Sequence, residues 1–283
     1  MGATVTVQAT KTVYRDEFIA AYEQSKSLLA TATTPQTQTE GNVATFLIAG
    51  SGGQRAVTRG QNGQIPYNTP SNTQVSVTLV EKHAPFELTG FDIFSSQGNQ
   101  KQIIQDASMA VIRRDQDLII LTELANATQD YGSGSLELAT IAMSKAILGQ
   151  NFVDTSNPDD MFWIISPAAE AYLMQMPEFT SADYVSVTPM EGGPARNYRR
   201  WMGSNWMVSA LVTGVGTASE VLYNYHRSAL GYAANMGGEK VNIGYDEKQD
   251  SSWSRATIYH QAKILQNSGI IKIAHDGSAA LAT

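Results

Sequence analysis

The amino-acid sequence predicts a mixed α+β fold built as one body. Three observations lead there: two β-branched, apolar runs flanking a long glycine-rich excursion between residues 43 and 80, one uninterrupted helical stretch from Gln100 to Ala127, and a β-rich region beyond Gly192 that closes the chain. No repeat of fixed period occurs, and no spacer rich in Pro, Gly or Ser divides the 283 residues into independently folding halves. A chain of this length buries a sizeable core without disulfides or metal.

Taken in order, the first pattern runs from Lys11 to Ala30, where Tyr14, Phe18, Ala21, Tyr22 and Leu28 recur at three- and four-residue steps. That spacing predicts an amphipathic helix that needs a surface to lie on. The following TATTPQTQT (31–39) is rich in Thr and Gln, is interrupted by Pro35 and has almost nothing to bury, so it reads as an extended arm. The runs VATFLIA (43–49) and TQVSVTLV (73–80) read as strands, the second alternating Val75, Val77 and Leu79 with polar neighbours. Between them the chain holds Gly50, Gly52, Gly53, Gly60 and Gly63. Most connections run about 4 to 6 residues, so an excursion of this length is either functional or disordered. A lone two-stranded ribbon is only marginally stable in water, and the simplest support for this one is a neighbouring copy of the same chain.

After PFELTGFDIF (85–94), which reads as a strand, Gln100–Ala127 carries Ile103, Ala107, Ala110, Ile112, Leu118, Leu121 and Leu124 at helical spacing without Gly or Pro. At 1.5 Å per residue this is a rod of roughly 40 Å, suited to be a structural spine. Arg113 and Asp117 stand four apart on it and are placed to pair. YGSGS (131–135) breaks the helix. A second helix is expected over Leu136–Leu148, opened by Ser135 as N-cap and closed by Gly149. MFWIIS (161–166) reads as a buried strand, and Ser166-Pro167 suits the cap and first turn of a helix over AAEAYLMQM (168–176) ended by Pro177. WMVSALV, EVLYNYH, KVNIGY and the long ATIYHQAKILQNSGIIKIAH complete a strand-rich layer.

The chemistry is mostly excluded. With no Cys there is no disulfide framework, thiolate metal site or cysteine nucleophile. A net charge of −7 argues against a dedicated nucleic-acid module, which needs clustered Lys and Arg. A charged fraction of 16%, low for a soluble domain, suggests surface hidden in an assembly. His83, His226, His260 and His275 are scattered without zinc spacing and read as solvated or interface histidines. No serine-nucleophile elbow, P-loop or complete dinucleotide fingerprint occurs. Asp115 and Asp117 lie two apart on a helix and face different sides, while Asp159 and Asp160 follow Asn157-Pro158, where a turn explains them. Arg196, Tyr198, Arg199, Arg200 and Trp201 form the one basic and aromatic cluster, better suited to anchoring an interface than to nucleic acid in an acidic protein. No catalytic or metal residue and no cofactor is expected.

The order of arm, glycine-rich ribbon, spine helix, α/β segment and closing strands resembles the Hong Kong 97-type capsid fold of tailed phages, over nearly the whole chain. DLIILTELANATQDYGSGS resembles the end of its spine helix and the turn after it. WIISPAAEAYLMQMPEFTSADY and NYRRWMGSNWMVSALV are similar to its axial-domain strands and helix, YNYHRSALGYAAN to the return into the peripheral domain, and SSWSRATIYHQAKILQNSGIIKI to its last long strands. The resemblance implies an N-terminal arm (1–42), an extended loop lying across a neighbouring subunit (43–84), a peripheral domain with the spine helix (85–130), an axial domain (131–225) and a return to the peripheral domain (226–283). It implies inter-subunit contacts by the loop residues Gly50, Gly52, Gly53, Arg55, Arg59, Gly60, Gly63 and Tyr67. Arg113, Arg114 and Asp117 are expected to make the contacts of the spine helix, and the Arg196–Trp201 cluster an axial-domain interface. Its partners would be other copies in pentamers and hexamers, scaffolding and portal proteins, a decoration protein, and packaged DNA held without sequence-specific contacts. No membrane is involved: the chain would assemble in the host cytoplasm and reside in the virion. An encapsulin-like nanocompartment shell is the alternative with the same fold. The founding member's lysine-to-asparagine cross-link has no counterpart, because between Gly41 and Glu81 the only basic residues are Arg55 and Arg59. Contacts are therefore expected to be non-covalent, with a separate scaffolding protein because the arm is short.

Overall fold

The computed structural model describes residues 27–39, 41–95, 100–132, 134–180 and 199–278. The helix expected over Lys11–Ala30 lies mostly outside them, and its end, Leu29–Ala32, forms a 3-10 turn. The arm that follows is the strand β1 (Thr34–Thr39), not a free segment, and it pairs in parallel with β10 (Leu230–Asn235). Its backbone groups find partners although its side chains offer little to bury.

A five-stranded sheet is centred on β12 (Ser251–Ile264). One edge of β12 pairs antiparallel with β10 and with β11 (Lys240–Asp246), the other with β4 (Val80–Thr89). Across β12 and β4 lies the long helix α2 (Gln100–Ala125), about 39 Å at 1.5 Å per residue. Its first half places Ile112 on Ala84, Ala256 and Ile258; its second half sends Ile120, Leu121 and Leu124 into the main core. The expected strand over PFELTGFDIF stops at Thr89 and gives way to α1 (Gly90–Ser95). Thr89 Oγ1 accepts from the Asp92 amide at 3.2 Å and donates to the Asp92 carboxylate at 2.6 Å, a capping pair that starts a helix where alternation alone suggested a strand.

The second sheet has six strands in the order β5 (Asp130–Tyr131), β13 (Ile270–His275), β9 (Glu220–His226), β6 (Met161–Ile165), β8 (Ser204–Val208) and β7 (Arg199–Trp201). All five residues of β6 are buried, as the run MFWII predicts, and Trp163 stacks on Trp206 at 4.5 Å. The helices α3 (Leu138–Gln150), α4 (Pro167–Gln175) and α5 (Pro177–Thr180) complete this part. Ser166 caps α4 as expected, its Oγ accepting from the Ala169 amide at 2.9 Å. Ser135 does not cap α3. The Leu136 amide instead donates to the buried His275 Nδ1 at 3.1 Å, which holds Leu136 in the loop and delays the helix to Leu138. Gly149 does not end that helix either; it lies inside it, and the stop comes at Asn151–Phe152.

The long run ATIYHQAKILQNSGIIKIAH is two strands in two different sheets. A 3-10 corner at Asn267–Gly269 turns the chain from β12 into β13. Both sheets share one core: Leu230, Tyr232 and Ala262 of the first lie in the same cluster as Phe162, Trp206 and Ile271 of the second.

Candidate inter-subunit surfaces

The ribbon of β2 (Val43–Gly50) and β3 (Ser71–Thr78), paired antiparallel from Val43↔Thr78 to Gly50↔Ser71, is largely exposed. Only its base is held. Ala44, Phe46 and Val77 pack on Ala233, with Leu79 and Leu265 alongside, and Gly231 makes room: a Cβ there would come within 2.9 Å of the Phe46 ring. Beyond the base, residues 51–70 are all exposed, including Arg55, Arg59 and Tyr67. The Tyr67 ring is 98% exposed and Leu47 is 82% exposed, apolar area that contributes nothing to the isolated chain. Three of the loop glycines, Gly52, Gly53 and Gly63, use positive φ, whereas Gly50 and Gly60 do not. The loop's internal bonds are few: Gln54 N to Ser51 O at 3.3 Å, Gly60 N to Gln64 O and Gly63 N to Gly60 O at 2.9 Å each, and Asn68 Nδ2 to Arg55 O at 3.0 Å.

On the spine helix the expected side chains reach partners off the helix. Arg113 pairs with Glu239 at 3.2 Å. Asp117 is fully buried and accepts from Ser27 Oγ at 2.5 Å and from the Leu28 and Leu29 amides at 3.1 Å each, so it holds the start of the described chain against α2. Arg114 is partly buried on the same helix. Asp115 faces the other way, as the two-residue spacing requires, and meets His260 Nε2 at 3.1 Å and Lys82 at 3.8 Å. The hydrogen bond from His260, aided by the Lys82 charge, holds the Asp115 carboxyl below its ordinary value.

Two of the histidines are not surface groups. His260 is buried between Asp115 and Tyr232, whose Oη lies 3.1 Å from Nδ1, and burial pushes the Tyr232 phenol up. His275 is buried under Leu136 and edge-on to Tyr172 at 4.9 Å. Both sit at inward positions of their strands, a place that scattered sequence spacing did not reveal.

The basic and aromatic cluster divides. Arg196 and Tyr198 lie outside the described residues, and Arg199 contributes backbone to β7. Arg200 binds the Asp159 carboxylate and donates to Asn205 Oδ1 at 3.1 Å. Trp201 is a core residue of its own chain, packed edge-on against Phe179 at 4.9 Å and beside Trp206 at 5.7 Å. Asp159 and Asp160 sit in the Asn157 turn as expected, with Asn157 Oδ1 accepting from the Asp159 amide at 3.2 Å. Among the described residues no group of three or more His, Asp or Glu side chains is placed to hold a metal, and no helix is long and apolar enough to cross a membrane.

This architecture recurs in solved capsids. The chain superposes on a structure from Mycobacterium phage Che8 with a TM-score of 0.74 at 16% identity, covering 95% of this chain and 98% of that one. It superposes on the capsid of cyanophage P-SCSP1u with 0.71 at 11% identity (97% and 95% covered), and on the capsid of Ralstonia phage GP4 with 0.69 at 10% identity, all of both chains covered. No curated protein matches it in sequence. The fold is therefore that of phage shell subunits. The chain itself belongs to the phage capsid protein family, whose model matches residues 6–277, and is a structural protein of the tailed-phage major capsid kind, not an enzyme.

Proposed function

We propose that this chain assembles into pentamers and hexamers that form an icosahedral phage head around double-stranded DNA, with the Hong Kong 97-type division into peripheral and axial parts. The observation that carries this reading is the ribbon of residues 43–78, anchored at its base by Phe46 and exposing Leu47, Tyr67, Arg55 and Arg59 where none of the described residues covers them. Beyond its base an isolated two-stranded ribbon is only marginally stable in water, and a neighbouring subunit is the simplest third surface. In this reading 43–84 is the loop crossing to a neighbour, residues 85–130 and 226–283 form the peripheral domain, 131–225 the axial domain and 1–42 the arm. Arg113, Arg114 and Asp117 brace the spine on which these contacts rest. Contacts are non-covalent, a separate scaffolding protein guides curvature, a portal protein occupies one vertex, and assembly takes place in the host cytoplasm. Electron microscopy of the purified protein, alone and with scaffold, tests the proposal: capsomers or closed shells are expected, and monomers under every condition would overturn it. Denaturing gels of particles should show a single band, whereas a ladder of covalently joined subunits would refute the non-covalent shell.

A further inference from the structure

The end of α3 contains a residue that its own fold does not explain. The helix closes in a Schellman arrangement: the Phe152 amide donates to Gly149 O and the Val153 amide to Leu148 O, each at 3.0 Å. That arrangement requires a left-handed residue at position 152, and glycine is the residue that adopts it without strain. Here the position is Phe152, at φ 60°, with its side chain 98% exposed. Its Cβ thus strains the backbone, and among the described residues nothing covers the ring. Val153, by contrast, packs on the main core and anchors the turn.

At the opposite end of the same helix, roughly 20 Å away at 1.5 Å per residue, is a concavity of about 410 Å³ between α3 and α4. Leu136, Leu138, Tyr172, Met176 and Pro177 line it, together with four polar residues that include Glu137 and Glu178. A knob and a hole at two ends of one subunit are matched by a head-to-tail contact between identical copies, the type of contact that closes into rings about a rotation axis.

We infer that Phe152 is an inter-subunit anchor that seats in the concavity between α3 and α4 of a second copy of this chain. The inference rests on the shell-forming reading and adds a specific contact to it. Replacement Phe152→Gly separates folding from assembly, because glycine suits the left-handed position. The unassembled variant should unfold at the same temperature as the wild type or higher, yet need about 10- to 100-fold more protein to form capsomers, the factor that burying one Phe side chain corresponds to. Since the chain has no Cys, the double variant Phe152→Cys with Met176→Cys provides a clean second readout. A short bismaleimide should join neighbouring copies into closed rings, and neither single variant should do so. Assembly of Phe152→Gly at the wild-type concentration overturns the contact alone, as does cross-linking of the Phe152→Cys position to a different protein in particles. Wild-type protein that never forms oligomers overturns the shell reading and this contact together.

Discussion

Asp117 shows how much one side chain can determine. Its buried carboxylate accepts three hydrogen bonds from Ser27, Leu28 and Leu29, so Asp117→Ala strands two backbone donors in the interior. Bonds to a charged group are worth more than neutral ones, and the substitution should destabilise the subunit by about 2–4 kcal/mol in urea unfolding. It should also expose the chain near Ser27 to protease. Asp115 has a pH signature instead. Its folded pKa is lowered, so its contribution is present above the ordinary carboxylate value of about 3.9 and is lost as pH falls through the lower folded value. Thermal midpoints of wild type and Asp115→Asn should therefore differ most near neutral pH and converge as the pH falls below the ordinary carboxylate range. The opposite orientations of Asp115 and Asp117 were legible from helix geometry. Their partners were not: Ser27 lies 90 residues from Asp117 and His260 lies 145 from Asp115, and local spacing carries no information at such separations.

At the scale of elements, periodicity located the spine helix, the ribbon strands, the buried β6 and the Ser166 cap closely. It failed where a tertiary bond overrode local preference, at Leu136, whose amide His275 claims, and where a short capping pair, Thr89 with Asp92, interrupted an alternating run. β1 was hidden for a different reason: its stability comes from main-chain pairing with β10, which side-chain patterning does not record. The ribbon's base offers a direct test. Gly231→Ala would press a methyl against the Phe46 ring and Leu265, at 2.9 and 3.1 Å, with an overpacking cost of about 1–3 kcal/mol. Combining it with Phe46→Leu, which removes part of the obstruction, should recover some of that loss in a double-mutant cycle. Additive costs would show that Gly231 does not serve as the seat of the ribbon.

For the whole molecule, the shared core matters more than the two sheets taken separately. Trp163 stacks on Trp206 inside a cluster that includes residues of both, so Trp163→Ala should cost about 3–5 kcal/mol while preserving one unfolding transition by fluorescence and circular dichroism. Two resolved transitions would mean that the sheets are independent units. The sequence pattern anticipated this unity through its lack of a spacer, but it could not show that one apolar run serves two sheets, because a strand's periodicity does not name its sheet. The corner at Asn267–Gly269 makes that sharing possible, placing β12 at the centre of one sheet and β13 between β5 and β9 of the other. The consequence reaches into synthesis: the first sheet lacks its centre until a ribosome has passed residue 264, and the second lacks its β13 until it has passed residue 275. A nascent chain that ends before residue 251 lacks both, and should be cleared by proteases rather than incorporated as a faulty subunit.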